Sequence, residues 1–498
     1  MLNHTVAMTN KFLEKMPKSK RKNKGQFFTS IQTAKFMVDM FDLSNIPVEV
    51  CILDPGAGTG ILTAAFMERL QEIPRVQKIN LVCYETDEDV LDVLRDNLIY
   101  IASHTDKSFV YEIRSEDYIL SQQDDFNGTM FSDENMRKYD FIIGNPPYLR
   151  IMRNHAAAMA MPSIVHGAPN LYFLFASMSL FNLKPEGELV YIIPRSWTSG
   201  AYFTAFRRYF LEAGTLEQIH IFVSRDKVFS EDQVLQETII IKCRKTKEKP
   251  HNVLITSSYG NTVLNEAAKI HVAYSSIVRG EALYVYLPTC EDEIAVLDRI
   301  NIYKNTFQEE GIRMRTGIVV DFRQWKDLRG KPGEHNLPLF YSQHIQNGRV
   351  HHSPSGKAFD WIVDAKKGLV QKNQNYVFCK RFTAKEEKRR LQCGIYNPKE
   401  FEQYQFIATQ NKINYVERVD GVEMDLNTTY GVYALLNSSL FDRYYRILNG
   451  STQVNSTEIN RIPVPPMDLI MQIGEQLRET GDLSTESCDR IVMEIAYA

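Results

Sequence analysis

Asn145-Pro146-Pro147-Tyr148 stands directly after YDFIIG, an apolar run that ends in glycine. The double proline stiffens the backbone and removes two N–H donors, which leaves neighbouring carbonyl oxygens to face a substrate. The Asn145 side-chain oxygen and the Pro146 carbonyl form a pair of acceptors matched to a planar NH2 group. Adenine's exocyclic nitrogen is such a group, and a poor nucleophile, because its lone pair is delocalised into the ring. Two acceptors holding its hydrogens would localise that lone pair toward an electrophilic methyl carbon, by positioning and electrostatics with no covalent intermediate. Tyr148 adds an aromatic face on which an extruded base can stack. The competing reading of the same residues is a rigid turn with a buried tyrosine.

A second group has the character of a nucleoside site. Asp54-Pro55-Gly56-Ala57-Gly58-Thr59-Gly60 follows the apolar run VCIL and opens the helix-like segment ILTAAFMERL. Glycines there let the backbone turn tightly beside a ligand. Alone, the loop fits an adenosine cofactor, a dinucleotide or a plain strand-to-helix turn. Glu85 ends the next apolar run, where a carboxylate can accept both ribose hydroxyls. Asp117, in RSEDY, follows the third run and could accept an adenine amino group. Each acid could also be a strand-end turn residue.

These groups need a scaffold that brings strand ends together. From Val50 to Cys243 short apolar runs alternate with helix-length segments: VCIL, INLVCYE, YDFIIG and ELVYIIP are separated by ILTAAFMERL, DEDVLDVLRDNL and NLYFLFASMSLFNL. The alternation predicts an α/β domain, a mostly parallel sheet covered by helices on both faces. IHIFV and TIIIKC, with no helix-length segment between them, predict a terminal antiparallel hairpin. Beyond about residue 250 the texture changes to short strand-like pieces, aromatic residues and basic clusters, which predicts a second, mixed α+β domain.

With its motifs in this order, the sequence resembles the gamma-type adenine-specific DNA methyltransferases, the TaqI-like and Eco57I/PaeR7I-like modification enzymes. Gly25-Gln26-Phe27-Phe28-Thr29-Ser30 resembles that family's first cofactor motif, with Ser30 where proline is common. The resemblance implies a Rossmann-like domain binding S-adenosylmethionine through Thr29, Asp54, Pro55, Gly56, Gly58, Gly60, Glu85, Asp117, Asn145 and Pro147, and no metal. It makes Asn145, Pro146 and Tyr148 catalytic, and pairs Tyr148 with Phe229, in Asp226-Lys227-Val228-Phe229, as the clamp on a flipped adenine. Lys184-Pro185-Glu186-Gly187-Glu188 with LVYIIP resembles a later structural segment. Arg315 to Arg323 and Asn449 to Asn455 are similar to segments of the PaeR7I-like subgroup, without assigned roles. The implied organisation is a basic tail (1–24), the catalytic domain (25–250), a target-recognition domain (251–465) and a C-terminal helical segment (466–498).

In the second half, Lys366 to Arg390 interleaves nine basic residues with Tyr376, Phe378 and Phe382. Lys380, Arg381, Lys388, Arg389 and Arg390 are the expected contacts to double-stranded DNA, although EEKRR also reads as a salt-bridged helix surface. The run KSKRKNK (18–24) is a solvated tail or a phosphate contact. A formal charge of -3 over 498 residues does not decide this, because local basic surface governs nucleic-acid binding. Seven cysteines without a Cys-x-x-Cys pair suggest neither a disulfide framework nor a zinc site. No stretch is apolar for long enough to span a bilayer, so no membrane partner and a cytoplasmic location are expected. No nuclease site is recognisable, and a separately encoded cognate endonuclease and a monomeric state are implied by the resemblance alone. Ribosomal-RNA and protein-glutamine methyltransferases, whose substrates present a similar NH2, are the competing activities; the second would leave the C-terminal half without a role.

Overall fold

The computed structural model describes residues 1–16, 25, 28–133, 136–223, 237–260, 264–353, 359–363, 368–384 and 386–498. They form two compact units, Met1–Glu291 and Asp292–Ala498.

In the first unit two helices, α1 (Leu2–Leu13) and α2 (Ile31–Asp39), precede the sheet. The chain then alternates: β1 (Glu49–Pro55), α3 (Ile61–Gln71), β2 (Lys78–Tyr84), α4 (Glu88–Ser103), β3 (Ser108–Arg114), β4 (Tyr139–Gly144), α5 (Leu171–Asn182), β5 (Leu183–Pro194), α6 (Thr204–Ala213), β6 (Thr215–Phe222) and β7 (Thr238–Arg244). Two further strands follow, β8 (Asn252–Ser258) and β9 (Ala268–Ala273). All nine strands join one sheet in the order β3-β2-β1-β4-β5-β7-β6-β8-β9. The first five are mutually parallel, and β7 runs antiparallel to both β5 and β6. The expected hairpin of IHIFV and TIIIKC is thus present. It is not the end of the sheet, because β8 pairs parallel with β6 and β9 antiparallel with β8.

Near-continuous apolar runs suit strands covered on both faces. Val50, Ile52, Ile79, Leu81, Phe141 and Ile143 are buried with Phe66 of α3 and Leu94 of α4. Phe41 stacks on Phe66 at 4.8 Å between ring centroids and meets Phe141 edge-on at 5.3 Å. The strand order reverses between β1 and β4, so their carboxyl ends flank a crevice, the usual ligand position in such sheets. The glycine loop leaves β1 and the Asn145 loop leaves β4 there.

Two boundaries differ from the sequence reading. Residues 2–13, expected within a basic tail, form α1: Leu2, Thr5 and Thr9 are buried, and the Leu2 N–H donates to Glu68 of α3 at 2.8 Å. The helical spacing of these small and apolar residues was masked by the lysine run that follows; that run, 18–24, lies outside the described residues. The boundary expected at residue 250 falls inside the first unit, since the edge of β6 is closed by β8 and β9.

The second unit contains a six-stranded sheet, with strands Ile312–Thr316, Ile413–Arg418, Tyr376–Lys380 and Cys393–Tyr396 adjacent in that order, and a five-stranded sheet around Asn336–Phe340 and Phe406–Thr409. Helices Met467–Thr480 and Thr485–Ala496 pack with helix Leu426–Asn437 as part of this unit, not as a separate segment.

Gly144, the last residue of β4, lies over the fully buried Tyr191 ring of β5: an added Cβ would sit 2.6 Å from Cε1. Gly144→Ala should therefore cost roughly 1–3 kcal/mol, an overpacking penalty. Thermal denaturation should show the loss, and adding Tyr191→Leu should recover part of it; strict additivity would show that the ring is not the obstacle.

Candidate active site

The turn after β1 is built from left-handed backbone. Gly56, Gly58 and Gly60 have φ of 86°, 57° and 86°, a region where side chains are strained. The Gly56 and Ala57 N–H groups both donate to the Tyr84 carbonyl at 2.8 Å, tying the turn to β2. Asn97 of α4 donates to the Thr59 carbonyl at 2.8 Å, and Thr59 Oγ1 lies 2.7 Å from Thr9 Oγ1 of α1. Since the single Thr9 hydroxyl proton goes to the Thr5 carbonyl at 2.7 Å, Thr59 is the donor of that pair. Helix α1 is therefore a support of the glycine turn.

Asp54, 1% exposed, sits beneath this turn. Thr63 donates to its Oδ2 at 2.8 Å, while Oδ1 has no hydrogen-bond partner among the described residues. Burial pushes the Asp54 carboxyl up to about 7, despite the Thr63 bond, with the neighbouring Glu85 charge adding to the shift.

The crevice opens into a cavity of about 450 Å³. Of the residues expected around a cofactor, Thr29, Gly56, Gly58, Glu85, Asp117, Asn145 and Pro147 line it. Asp54, Pro55 and Gly60 do not; they are buried. Pro146 and Tyr148 are likewise not lining residues but frame the loop. Phe229 lies outside the described residues, as do Gln26 and Phe27. Glu85 is 7% exposed and accepts the Gly58 N–H at 2.9 Å on one oxygen and the Asp87 N–H at 2.8 Å on the other. Burial raises its pKa against those bonds. Asp117 Oδ1 accepts two N–H groups, from Ile119 and Leu120, each at 2.9 Å.

The sequence reading missed Asp87 and Glu116 on the acidic side, and Tyr118 and Phe175, which bring rings to the wall. Asp87 and Tyr118 sit one or two residues from expected positions and were open to inference. Phe175 is one apolar residue among many in α5, and only the helix phase places it. Among the described residues, Glu85, Asp87, Glu116 and Asp117 line the cavity without a lysine, arginine or histidine. Such a wall suits a cationic or neutral ligand and opposes phosphates.

Asn145 Nδ2 donates to Thr29 Oγ1 at 3.2 Å, which sets the plane of the carboxamide and directs its oxygen to the other side. The Tyr148 hydroxyl donates to the Ile192 carbonyl of β5 at 2.9 Å, and its ring meets Tyr172 edge-on at 6.3 Å. The Tyr148 N–H donates to Gly25 at 3.1 Å, so the residues before α2 buttress the Asn145 loop. Ser30, where the family often has proline, accepts the Thr33 N–H at 3.2 Å and caps α2.

The proposed DNA contacts divide. Arg390 is fully buried: its guanidinium donates to Thr383 Oγ1 at 3.1 Å and to the Ser451 carbonyl at 2.7 Å. Arg389 turns inward to the Leu436 and Ser438 carbonyls. Neither is placed to meet phosphates, because their side chains satisfy carbonyls and a hydroxyl of neighbouring segments. Lys388 is exposed, and Lys380 and Arg381 are half-buried at a strand end. Lys366, Lys367 and Lys385 lie outside the described residues.

Residues 71–229 match the family model described as Eco57I restriction-modification methylase. Over 484 residues the chain is 32% identical to the type II methyltransferase M.PstI of Providencia stuartii, covering 95% of this chain and 92% of that protein. It is 31% identical over 484 residues to the type II methyltransferase M.BsuBI of Bacillus subtilis, covering 93% and 92%. Among solved structures, the type IIL restriction-modification enzyme MmeI in complex with DNA shares the fold: TM-score 0.53 at 10% identity, over 99% of this chain and 74% of that one.

A carboxyl whose pKa is raised on folding stabilises the fold below its unfolded value, near 4, and loses that contribution as pH rises through its folded value, here about 7. Asp54→Asn should thus gain on the wild type, in the absence of ligand, as pH rises from about 4 to 7, by at most roughly 4 kcal/mol. Melting temperatures across that range test this, and a constant difference would refute it.

Proposed function

This chain belongs to the Eco57I-type restriction-modification methylases and is a type II DNA methyltransferase, and from that premise we propose that it methylates the 6-amino group of an adenine rotated out of the duplex, with S-adenosylmethionine as donor. The donor is a sulfonium cation with an adenosine and an amino-acid part, and when bound it supplies an electrophilic methyl carbon. The residues present fit it. Among the described residues, four carboxylates and no lysine, arginine or histidine line the cavity. Glu85 is the residue to accept the ribose hydroxyls, Asp117 the adenine amino group of the cofactor, and Phe28 and Phe175 supply apolar walls.

The observation that carries the reading is the Asn145 carboxamide, which lines an acid-rich cavity and is held by Thr29. Its oxygen and the Pro146 carbonyl accept the two hydrogens of the target amine and concentrate its lone pair on the side facing the methyl group. Once nitrogen has gained the methyl group it sheds one hydrogen as a proton. Tyr148, fixed by its hydroxyl and by Tyr172, stacks on the flipped base, and Phe229 closes on the other face. We assign the chain to modification opposite a separately encoded endonuclease, acting as a monomer on double-stranded DNA.

Asn145→Ala should lower methyl transfer to DNA by at least about a hundredfold, the scale of losing one preorganised polar group, with S-adenosylhomocysteine affinity largely kept; activity within a few fold of wild type would refute the assignment. Nucleoside analysis of the product should give N6-methyladenine; N4-methylcytosine or labelled RNA would redirect it. Because burial raises the Glu85 pKa and its acceptor role needs the ionised form, cofactor affinity should fall as pH drops through that raised value. Calorimetry should show this acid limb in wild type and its absence in Glu85→Gln.

A further inference from the structure

Two segments of the second unit, Arg315 to Arg323 and Asn449 to Asn455, are far apart in sequence, and the chemistry above uses neither. They converge at one end of the six-stranded sheet, where strands Ile312–Thr316, Tyr376–Lys380 and Ile413–Arg418 begin or stop. The Gly317 N–H donates to the Ile413 carbonyl at 2.8 Å, and a Cβ on Gly317 would lie 2.3 Å from the Gln410 carbonyl oxygen, so only glycine permits the approach. Arg381 joins the pieces through its backbone: its N–H donates to the Lys412 carbonyl at 2.9 Å, and its carbonyl accepts the Val454 N–H at 2.7 Å.

The side chains at this end are held in place. Arg381 donates to the Asn411 carbonyl at 3.0 Å and to Gln453 Oε1 at 3.4 Å. With its oxygen toward Arg381, Gln453 presents Nε2 and its two hydrogens on the other side of the amide. Gln410, 2% exposed, accepts the Lys412 N–H at 3.3 Å and donates to Asp321 at 3.3 Å, which ties the first segment to the Lys412 turn. The Tyr445 hydroxyl accepts the Asn455 N–H at 3.0 Å and fixes the second segment from below. Around this frame Lys412 and Thr452 are exposed, and Phe382 is 44% exposed beside the Arg381 guanidinium.

Charge separates the two ends of the sheet. This end has Lys380, Arg381 and Lys412, with the Asp321 carboxylate engaged by Gln410 and the Glu387 carboxylate by the Ala384 N–H and Gln392. At the other ends of the same strands stand Glu309, Glu310, Asp420 and Glu423, where Arg418 is paired with Asp420 at 2.6 Å. A polyanion is attracted to the first and repelled by the second.

We propose that the end of the sheet formed by Arg381, Phe382, Lys412, Thr452 and Gln453 is the surface on which this enzyme reads duplex DNA: Lys412 takes a backbone phosphate, Gln453 a base edge, and Phe382 an apolar or stacking contact. Arg381 is a positioning residue that orients the Gln453 amide. A preset amide with outward donors matches the acceptors of a base edge, as glutamine does with adenine in the major groove. An exposed ring among cations matches a base face or a sugar.

The inference rests on the DNA-methyltransferase reading, and its test keeps the two apart. The methylated sequence is first mapped in DNA from cells expressing the full-length wild type; duplexes with and without it are then the probes. Lys412→Ala should weaken binding to both duplexes and reduce the salt dependence by about one phosphate contact. Gln453→Glu keeps the shape and an acceptor for Arg381 but removes the donors. It should raise KM for the mapped duplex roughly five- to a hundredfold or relax one position of the methylated sequence, with S-adenosylhomocysteine affinity and melting temperature unchanged. Phe382→Ala, read the same way, guards against a local effect of the new charge. Variants that keep the melting temperature and methylate the same sites with unchanged KM and salt dependence would overturn this surface while leaving the activity standing. A wild type that methylates no DNA would remove both.

Discussion

Parallel pairing of β1 with β4, Ile52 against Phe141 and Leu53 against Ile142, is the contact on which the site depends. The two strands are separated in the chain by β2, β3 and the helices between them, yet they lie side by side where the strand order reverses. Only that adjacency puts a turn of left-handed glycines next to a loop stiffened by two prolines. The pairing is held by apolar burial on both faces, with Phe41, Phe66 and Phe141 packed below it. On the β5 side, Tyr191 demands a glycine at the end of β4, so the start of the Asn145 loop is set by a ring it does not chemically need.

The cavity pays for its selectivity in electrostatics. Asp54 and Glu85 are both buried and both raised in pKa, so burial works against their ionised forms in the protein without ligand. A cation entering such a site favours the ionised form of Glu85, and its affinity falls at pH values where a proton must first leave. The same arrangement opposes a phosphate-bearing dinucleotide, although the glycine string alone would admit one. The supports of the turn are drawn from three places: α1 through Thr9, α4 through Asn97, and β2 through the Tyr84 carbonyl.

In the second unit, charge in the sequence and charge at the surface part company. Arg389 and Arg390 belong to a basic stretch of the chain and are turned inward, Arg389 to two carbonyls and Arg390 to a carbonyl and a hydroxyl. Lys412 stands in no basic run and is exposed at a junction of strands. A long side chain with five donors can serve buried carbonyls as readily as phosphates, and nothing local to EEKRR distinguishes the two.

The residues alone carried the alternation of apolar runs and helices, hence the parallel sheet and its hairpin, and the chemical kinds at its strand ends: glycines after VCIL, an acid after LVCY, an amide and prolines after YDFIIG. These follow from local rules, periodicity and backbone conformation, which act within a few residues. Whatever depends on packing between distant segments was out of reach: α1 beneath the glycine turn, β8 and β9 on the sheet edge, Phe175 in the cavity wall, and the meeting of Gly317, Lys412 and Gln453. Sequence neighbours share a backbone, but which face a side chain presents, and to what, is settled only when non-local apolar surfaces have been buried against one another.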